Sequence, residues 1–471
     1  MPAKAATPPR AAPAGRSFDR SIVEGPIARA VWKIAWPTVL QNAIGGLQGI
    51  IDHALVGHYV GYQANAAIGV SWQIFLVVIV FISSLFTGMG VLVARAAGAN
   101  DHERVDRVAY QAFLVAVLMS VGVLAPLGYF LAPQLLTLVN ASPDVQAHAL
   151  PFLQTMFLFS LGMLLFFMLG GALRAAGDAK TPLRLGVAMT VLNIGLNVVL
   201  ISGAGPIPAL GTFGSALGTV IASTTVSVVA MWMISTGRLV VHFRRGMSWA
   251  PDFTIVRQLF RFGLPAGLQG VAMNIAGVLL LRFIGSLEHS AEAQAAYAVA
   301  YAELFSLITW SSVGLMGAAA AVAGQNLGAA RPDRSARAVH IAARIGLSVA
   351  GCLALLFIFI PDLLLAIFGI TDPVVVGLGT QLLRYLSISG FFITVALTFT
   401  GGLQGTGDTR SPLYITLVSQ VAVPMGLCFA LQSMGRLEAS GVWTAIVLGH
   451  ATRCLLSIWR FQQGKWRSIR V

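Results

Sequence analysis

Apolar residues run along this chain in blocks of about twenty or more, and a helix of that length crosses a bilayer core of ~30 Å. The blocks predict twelve spans, roughly 29–58, 64–97, 106–131, 147–173, 182–203, 212–236, 257–285, 291–327, 335–360, 376–403, 411–433 and 438–463. The expected fold is an all-α integral membrane protein with twelve transmembrane helices. An even number of spans returns the chain to the side on which it started.

Composition agrees with the pattern. Of 471 residues, 57% are hydrophobic and 10% charged, and the mean hydropathy is +0.81. Soluble domains carry roughly 25% charged residues, so this chain cannot cover a wet surface and a soluble enzyme is excluded. The net charge of +13 would suggest nucleic acid in a soluble protein, but here it follows topology. Apart from Arg282, Arg384 and Arg436, the Lys and Arg residues fall on one side of the predicted spans, with Arg453 grouped among those following the last. That side is expected to be cytoplasmic, with both termini there, in a multi-pass protein of a bacterial-type inner membrane. No nucleic-acid partner is implied.

Residues 1–28 read as a disordered tail, with no apolar core and cleavage site to make a signal peptide. Cys352, Cys428 and Cys454 all fall inside apolar blocks and read as small core residues. No His/Cys cluster has metal-ligand spacing, so no metal site or cofactor is expected.

The chain repeats itself. Arg174-Ala-Ala-Gly177-Asp178-Ala-Lys-Thr-Pro182 recurs as Gln404-Gly-Thr-Gly407-Asp408-Thr-Arg-Ser-Pro412, and Gly98-Ala99-Asn100 as Gly328-Ala329-Ala330. Ala66-Ala67 matches Ala295-Ala296, and Pro37 matches Pro265. Six spans per half keep their orientation, giving two parallel six-helix repeats around a central cavity. A secondary transporter built this way holds its substrate between repeats near mid-membrane. The expected segments are an N-lobe over 29–237, a linker over 238–256, a C-lobe over 257–463 and a tail over 464–471. In the Gly-Asp loops, Gly177 and Gly407 suit positive φ at helix ends, and Asp178 and Asp408 suit caps on the next helix.

Acids inside the spans are few: only Asp52 and Glu303 lie well within apolar blocks. A carboxylate there is costly and usually faces a cavity or a partner. Asp52 shares a helix face with Gln41, Gly45 and Gln48, a polar stripe suited to a wet interior. Asn193 and Asn197 share a face of the fifth span, and Thr219 enters at a similar depth in the sixth. These four, Asp52, Asn193, Asn197 and Thr219, form the candidate coupling site, as hard oxygen ligands or proton-relay partners. The candidate cavity set is Gln41, Gln48, Glu303, Asn274, Tyr301 and Met163. Met163 belongs to a predicted stripe with Met156, Phe159 and Phe167. Met and aromatic side chains suit a promiscuous cation cavity, although packing produces the same stripes.

The chain resembles the multidrug and toxic compound extrusion (MATE) transporters. The resemblance rests on Pro37 followed by Asp52-xxxx-Gly57, the Gly98-Ala99 loop, Leu173-Arg174-xx-Gly177-Asp178-xx-Thr181-Pro182, and the degenerate copy Gly405-Thr-Gly407-Asp408-xx-Ser411-Pro412. It covers residues 29–463 and implies a two-lobed bundle that expels organic cations in exchange for H+ or Na+. It also implies that Asp52, Asn193 and Thr219 match the family's coupling cluster, and Glu303 an eighth-span Glu of some branches. The chain departs in having Asn197 where relatives with a cation site often carry Asp. It also has no seventh-span acid, where Asn274 is the nearby polar residue, and no tenth-span acid. The missing carboxylate favours protons over sodium.

Rival functions fare less well. No Gly-x-x-x-x-Gly-Lys-Ser/Thr loop is present, so ATP-driven transport within this chain is not expected. A flippase for lipid-linked saccharides is the alternative, but it should carry several cations in its cavity, and Arg282 and Arg384 lie toward span ends. No catalytic pair for a membrane enzyme is evident.

Overall fold

The computed structural model describes residues 18–203, 208–244 and 246–471, and their regular structure is helical. Twelve helical units correspond to the predicted spans. In the first half they are α1 (Ile27–Tyr59), α2 (Tyr62–Ser83 and Leu85–Gly98), α3 (His102–Leu138), α4 (Pro143–Leu158 and Leu161–Ala175), α5 (Lys180–Ser202) and α6 (Gly211–Ser235). In the second they are α7 (Phe253–Ile284), α8 (Ser290–Gly328), α9 (Pro332–Phe359), α10 (Pro373–Thr406), α11 (Arg410–Ser433) and α12 (Ala439–Gln462). Ten of them are long and apolar enough to cross a membrane unaided, and α4 makes an eleventh across a 53° bend. The remaining helix is α1, whose 33 residues include the polar stripe.

The bend in α4 falls at Phe159–Ser160 and corrects the predicted stripe on that span. Met156 is buried, Phe159 and Phe167 are exposed, and Met163 packs against the N-lobe core. Cys428 and Cys454 are buried as expected, but Cys352 is exposed because its face of α9 turns outward.

Between lobes, α1 packs on α8, α7 on α2, and α2 on α8. The first two pairs are equivalent under the repeat, so the pseudo-two-fold passes between α2 and α8. There Gly98 and Gly328 form a reciprocal contact. A Cβ on Gly98 would stand 1.9 Å from the Gln325 carbonyl oxygen, and one on Gly328 would stand 2.1 Å from that of Arg95. Only glycine permits this approach of backbone to backbone. In a bilayer, where lipid is as apolar as the helices, such close packing supplies much of the association.

The face at which these two glycines meet also carries most of the Lys and Arg, and is called the basic face below. Cross-lobe contact continues from it as far as Gly46 against Trp310 and Gly270 against Val80. Further from the basic face, a Cβ at Gly49, one turn along α1, or at Gly277, two turns along α7, would meet nothing within 4 Å. The lobes are closed at the basic face and parted at the other.

Two straps reinforce the closure. Residues from Phe18 onward, expected as part of a disordered tail, fold against both lobes; residues 1–17 lie outside the described range. Phe18 stacks on His102 at 4.0 Å, while Ile22 is fully buried among residues of α1, α8 and α9. Asn326, Arg331 and Arg334 donate to the carbonyls of Ile22, Val23 and Gly25. At the other end, Trp466 is buried in the C-lobe beside Phe461 and Val339. The chain then crosses to the N-lobe, where Arg95 and Arg104 donate to the carbonyl oxygens of Ile469 and Val471, each at 3.1 Å.

The repeated loops have the expected form. Gly177 and Gly407 have φ of +101° and +102°. Asp178 accepts from the Thr181 amide and hydroxyl, and Asp408 does the same with Ser411. Asp408 differs in also pairing with Arg460 at 2.7 Å.

Candidate functional site

The α1 stripe meets α5 along one face of each helix. On α5, Gly186, Thr190, Asn193 and Asn197 recur at spacings of three and four, so all four point the same way. Gln41 lies over Gly186 and accepts from Arg174 at 3.2 Å. Gln48 accepts from Thr190 at 2.8 Å. Asp52 Oδ1 accepts from Asn197 Nδ2 at 2.7 Å. The stripe is therefore a row of polar contacts inside the N-lobe, ending at the carboxylate.

Thr219 completes the cluster from α6. It lies 3.1 Å from the Asn193 amide and donates to the Ser215 carbonyl at 3.1 Å. The second terminal atom of the Asn193 amide faces Asp52 Oδ1 at 3.1 Å. With oxygen there, the contact needs a proton on Asp52. With nitrogen there, an ionised Asp52 accepts a second hydrogen bond, and the amide oxygen can accept from Thr219. Asn193 and Asn197 have no solvent exposure, whereas Asp52 is half-buried and reachable from the parted side. Gly218 makes room for Asn197, because a Cβ there would stand 2.0 Å from Asn197 Oδ1. The four predicted coupling residues are thus gathered in one place.

The cavity candidates separate. Glu303 is exposed on α8, within the π-helical turn Ala298–Leu304 and seven residues before Trp310. Counting seven residues up from Trp310 and six up from Gly46, Glu303 and Asp52 stand at a similar height, each ~10 Å above the contact. Asn274 is exposed on the α7 face continuing from Gly267 and Gly270 and bonds its own helix at the Gly270 carbonyl. Tyr301 is a correction to the predicted set. It lies in the same π-helical turn and packs into the C-lobe, stacked on Tyr297 at 4.8 Å and near Phe305 at 5.4 Å. Met163, as noted, is core packing. Gln41 and Gln48 are spent on contacts within the N-lobe.

Sequence reasoning missed Thr190, Arg174 and Arg453. Thr190 was detectable as the residue three before Asn193 on the same face. Arg453 is the larger correction: instead of joining the basic residues at the end of the chain, it is 1% exposed inside the C-lobe. Helix α12 continues nine residues beyond it. Among the described residues its guanidinium hydrogen-bonds Met273 Sδ alone, at 3.6 Å, and its Nε has no hydrogen-bond partner. Beside it, His450 bonds Ser389. No group of three or more His, Cys, Asp or Glu among the described residues is arranged to hold a metal ion.

Comparison with known proteins bears on the whole chain. The MatE family model matches residues 37–199 and 265–429, two blocks at the spacing of the internal repeat. The protein named Probable multidrug resistance protein NorM in Thermotoga maritima is 25% identical over 93% of both chains. Multidrug resistance protein MdtK of Pectobacterium atrosepticum is 25% identical over 92% of this chain and 95% of its own. Among solved structures, the outward-facing conformation of a multidrug resistance MATE family transporter of the MOP superfamily matches with a TM-score of 0.88 at 20% identity, covering 96% of this chain and all of that one. The two-lobed fold, the internal repeat and the family match over most of the chain agree, and the protein belongs to the MATE family of transporters.

Proposed function

We propose that this transporter exports organic cations in exchange for protons, with Asp52 as the coupling carboxylate and the straps on the cytoplasmic side. The observation that carries the reading is the Asn193 amide held between Asp52 and Thr219. Its rotation lets the same amide face either protonation state of Asp52, presenting oxygen to the protonated carboxyl and nitrogen to the ionised one. An isolated carboxylate in the same position would pay the full cost of desolvation when ionised. Protonation from the open, external side favours one arrangement of α1, α5 and α6, and cation binding the other. The exchange then follows from differential affinity for two states. Glu303, across the cleft at similar height, supplies negative charge for a cationic substrate. Having one carboxylate in the cluster, with amides beside it, supports H+ rather than Na+.

The flippase alternative calls for several cations facing the cleft. Arg453 is a single one, enclosed within the C-lobe.

The test uses inside-out vesicles energised to an acidic interior, with a pH-sensitive dye reporting on addition of ethidium. Alkalinisation with wild type and none with Asp52→Asn is the expected result. Ethidium transport that depends on Na+ and ignores pH would overturn proton coupling.

A further inference from the structure

At the basic face, α9 begins with a run of arginines that divide by use. Arg331 and Arg334 are committed to the carbonyls of Val23 and Gly25. The guanidinium groups of Arg337 and Arg344, two turns apart on one exposed face, make no hydrogen bond or ion pair with any described residue. His340 lies between them and turns Nδ1 to the Ala336 carbonyl at 2.8 Å, which leaves Nε2 outward. Asp333, the nearby acid, faces Arg467 at 3.3 Å.

These side chains border two adjoining recesses that share Ala336 and His340. One lies along Arg337 and Arg344; the other, of about 490 Å³, runs between α9 and the segment Phe461–Arg467 that forms the second strap. Further along the same face of α9, the exposed residues change character from Ser348 to Cys352, Leu355 and Phe359. The stripe is therefore cationic where the helix leaves the bilayer and apolar where it is inside, the polarity profile of a phospholipid lying along it.

We propose that this groove binds an anionic phospholipid. Arg337 and Arg344 hold the headgroup phosphate, with Arg467 at the edge of the adjoining recess, and the acyl chains run past Cys352 toward Leu355. Unpartnered guanidinium groups suit a phosphate, which accepts paired hydrogen bonds from their fixed donors. Continuity of the recess with the exposed apolar flank selects a lipid over a soluble phosphate. Because Arg467 and Trp466 belong to the strap that reaches Arg95, a lipid held there also steadies the closure of the basic face.

The test is lipid binding to the purified full-length protein, read by native mass spectrometry with dioleoyl phosphatidylglycerol and dioleoyl phosphatidylcholine. Phosphatidylglycerol should bind about tenfold more tightly or better. The Arg337→Gln/Arg344→Gln double variant should lose that preference while binding phosphatidylcholine as wild type does. Arg384→Gln, which removes an exposed cation elsewhere, should retain it. Equal retention of the two lipids by wild type, or an unchanged preference in the double variant, would overturn the site. Displacement of phosphatidylglycerol by millimolar inorganic phosphate would overturn the lipid assignment in favour of a free anion.

Discussion

The indole ring of Trp310 lies directly over Gly46, so close that a Cβ on that glycine would stand 2.3 Å from the ring. This contact joins α1 to α8 one turn below Gly49, where an added Cβ would meet nothing within 4 Å. Toward the basic face the two helices stay packed; beyond it they part and leave Asp52 and Glu303 on either side of the opening.

Gly46→Val should therefore force the two helices apart or displace the ring, since an indole cannot yield as a flexible side chain can. Ethidium efflux is expected to fall at least about tenfold with normal expression and membrane insertion. Trp310→Ala in the same chain should recover part of the loss, because the two changes share one contact and are non-additive. Efflux rates of the two single variants and the double variant in vesicles check this, and strictly additive losses would count against a pivot at this pair.

Asn197→Asp should alter ion selectivity. Asn197 donates to Asp52 at 2.7 Å, and its own Oδ1 is buried without a partner. A second carboxylate there must share a proton with Asp52 or hold a cation. Melting of the variant is expected to rise by a few degrees in 100 mM NaCl over 100 mM KCl, with no such difference for wild type. A variant indifferent to sodium would show that the Asn at this position does not set the coupling ion.

The first strap should respond to acid. Partial burial would raise the Asp19 carboxyl, but hydrogen bonds from Lys33 and Ser21 outweigh it and hold the group below its ordinary value of 3.8. A lowered folded value means that the contacts are at full strength above pH ~4 and are lost as the pH falls through it. Hydrogen-exchange protection factors in residues 20–25, corrected for the intrinsic rate at each pH, should be lower at pH 3 than at pH 6, and Asp19→Asn should flatten that dependence.

The two Gly-Asp loops should differ in sensitivity. Asp408 is 6% exposed and paired with Arg460, whereas among the described residues Asp178 has only its capping bonds to Thr181. Arg460→Met strands a buried carboxylate and is expected to cost about 3 kcal/mol. Asp178→Ala should cost about 1 kcal/mol, as for a lost helix cap. Thermal unfolding in detergent ranks the two, and equal losses would contradict the asymmetry.

The predicted site was legible where it depended on one helix at a time. The spacing of Gln41, Gln48 and Asp52 on α1, and of Asn193 and Asn197 on α5, places each set on one face, because the α-helical period is local. The positive φ at Gly177 and Gly407 was readable for the same reason. Met163 was misplaced because a 53° bend interrupts the helical phase of its stripe, and Tyr301 because its packing against the C-lobe core is a tertiary contact that residue type does not reveal.

What the sequence alone determined is therefore the set of spans, their twofold repetition and the residues sharing each polar face. These follow from block length, hydropathy and a fixed helical period. Only the tertiary structure decided that Asp52 meets Asn197, that Arg453 is enclosed in the C-lobe, and that the lobes close at Gly98 and Gly328 and part beyond Trp310. Those outcomes depend on which faces of distant helices come within van der Waals reach, and spacing along a single chain carries no record of that distance.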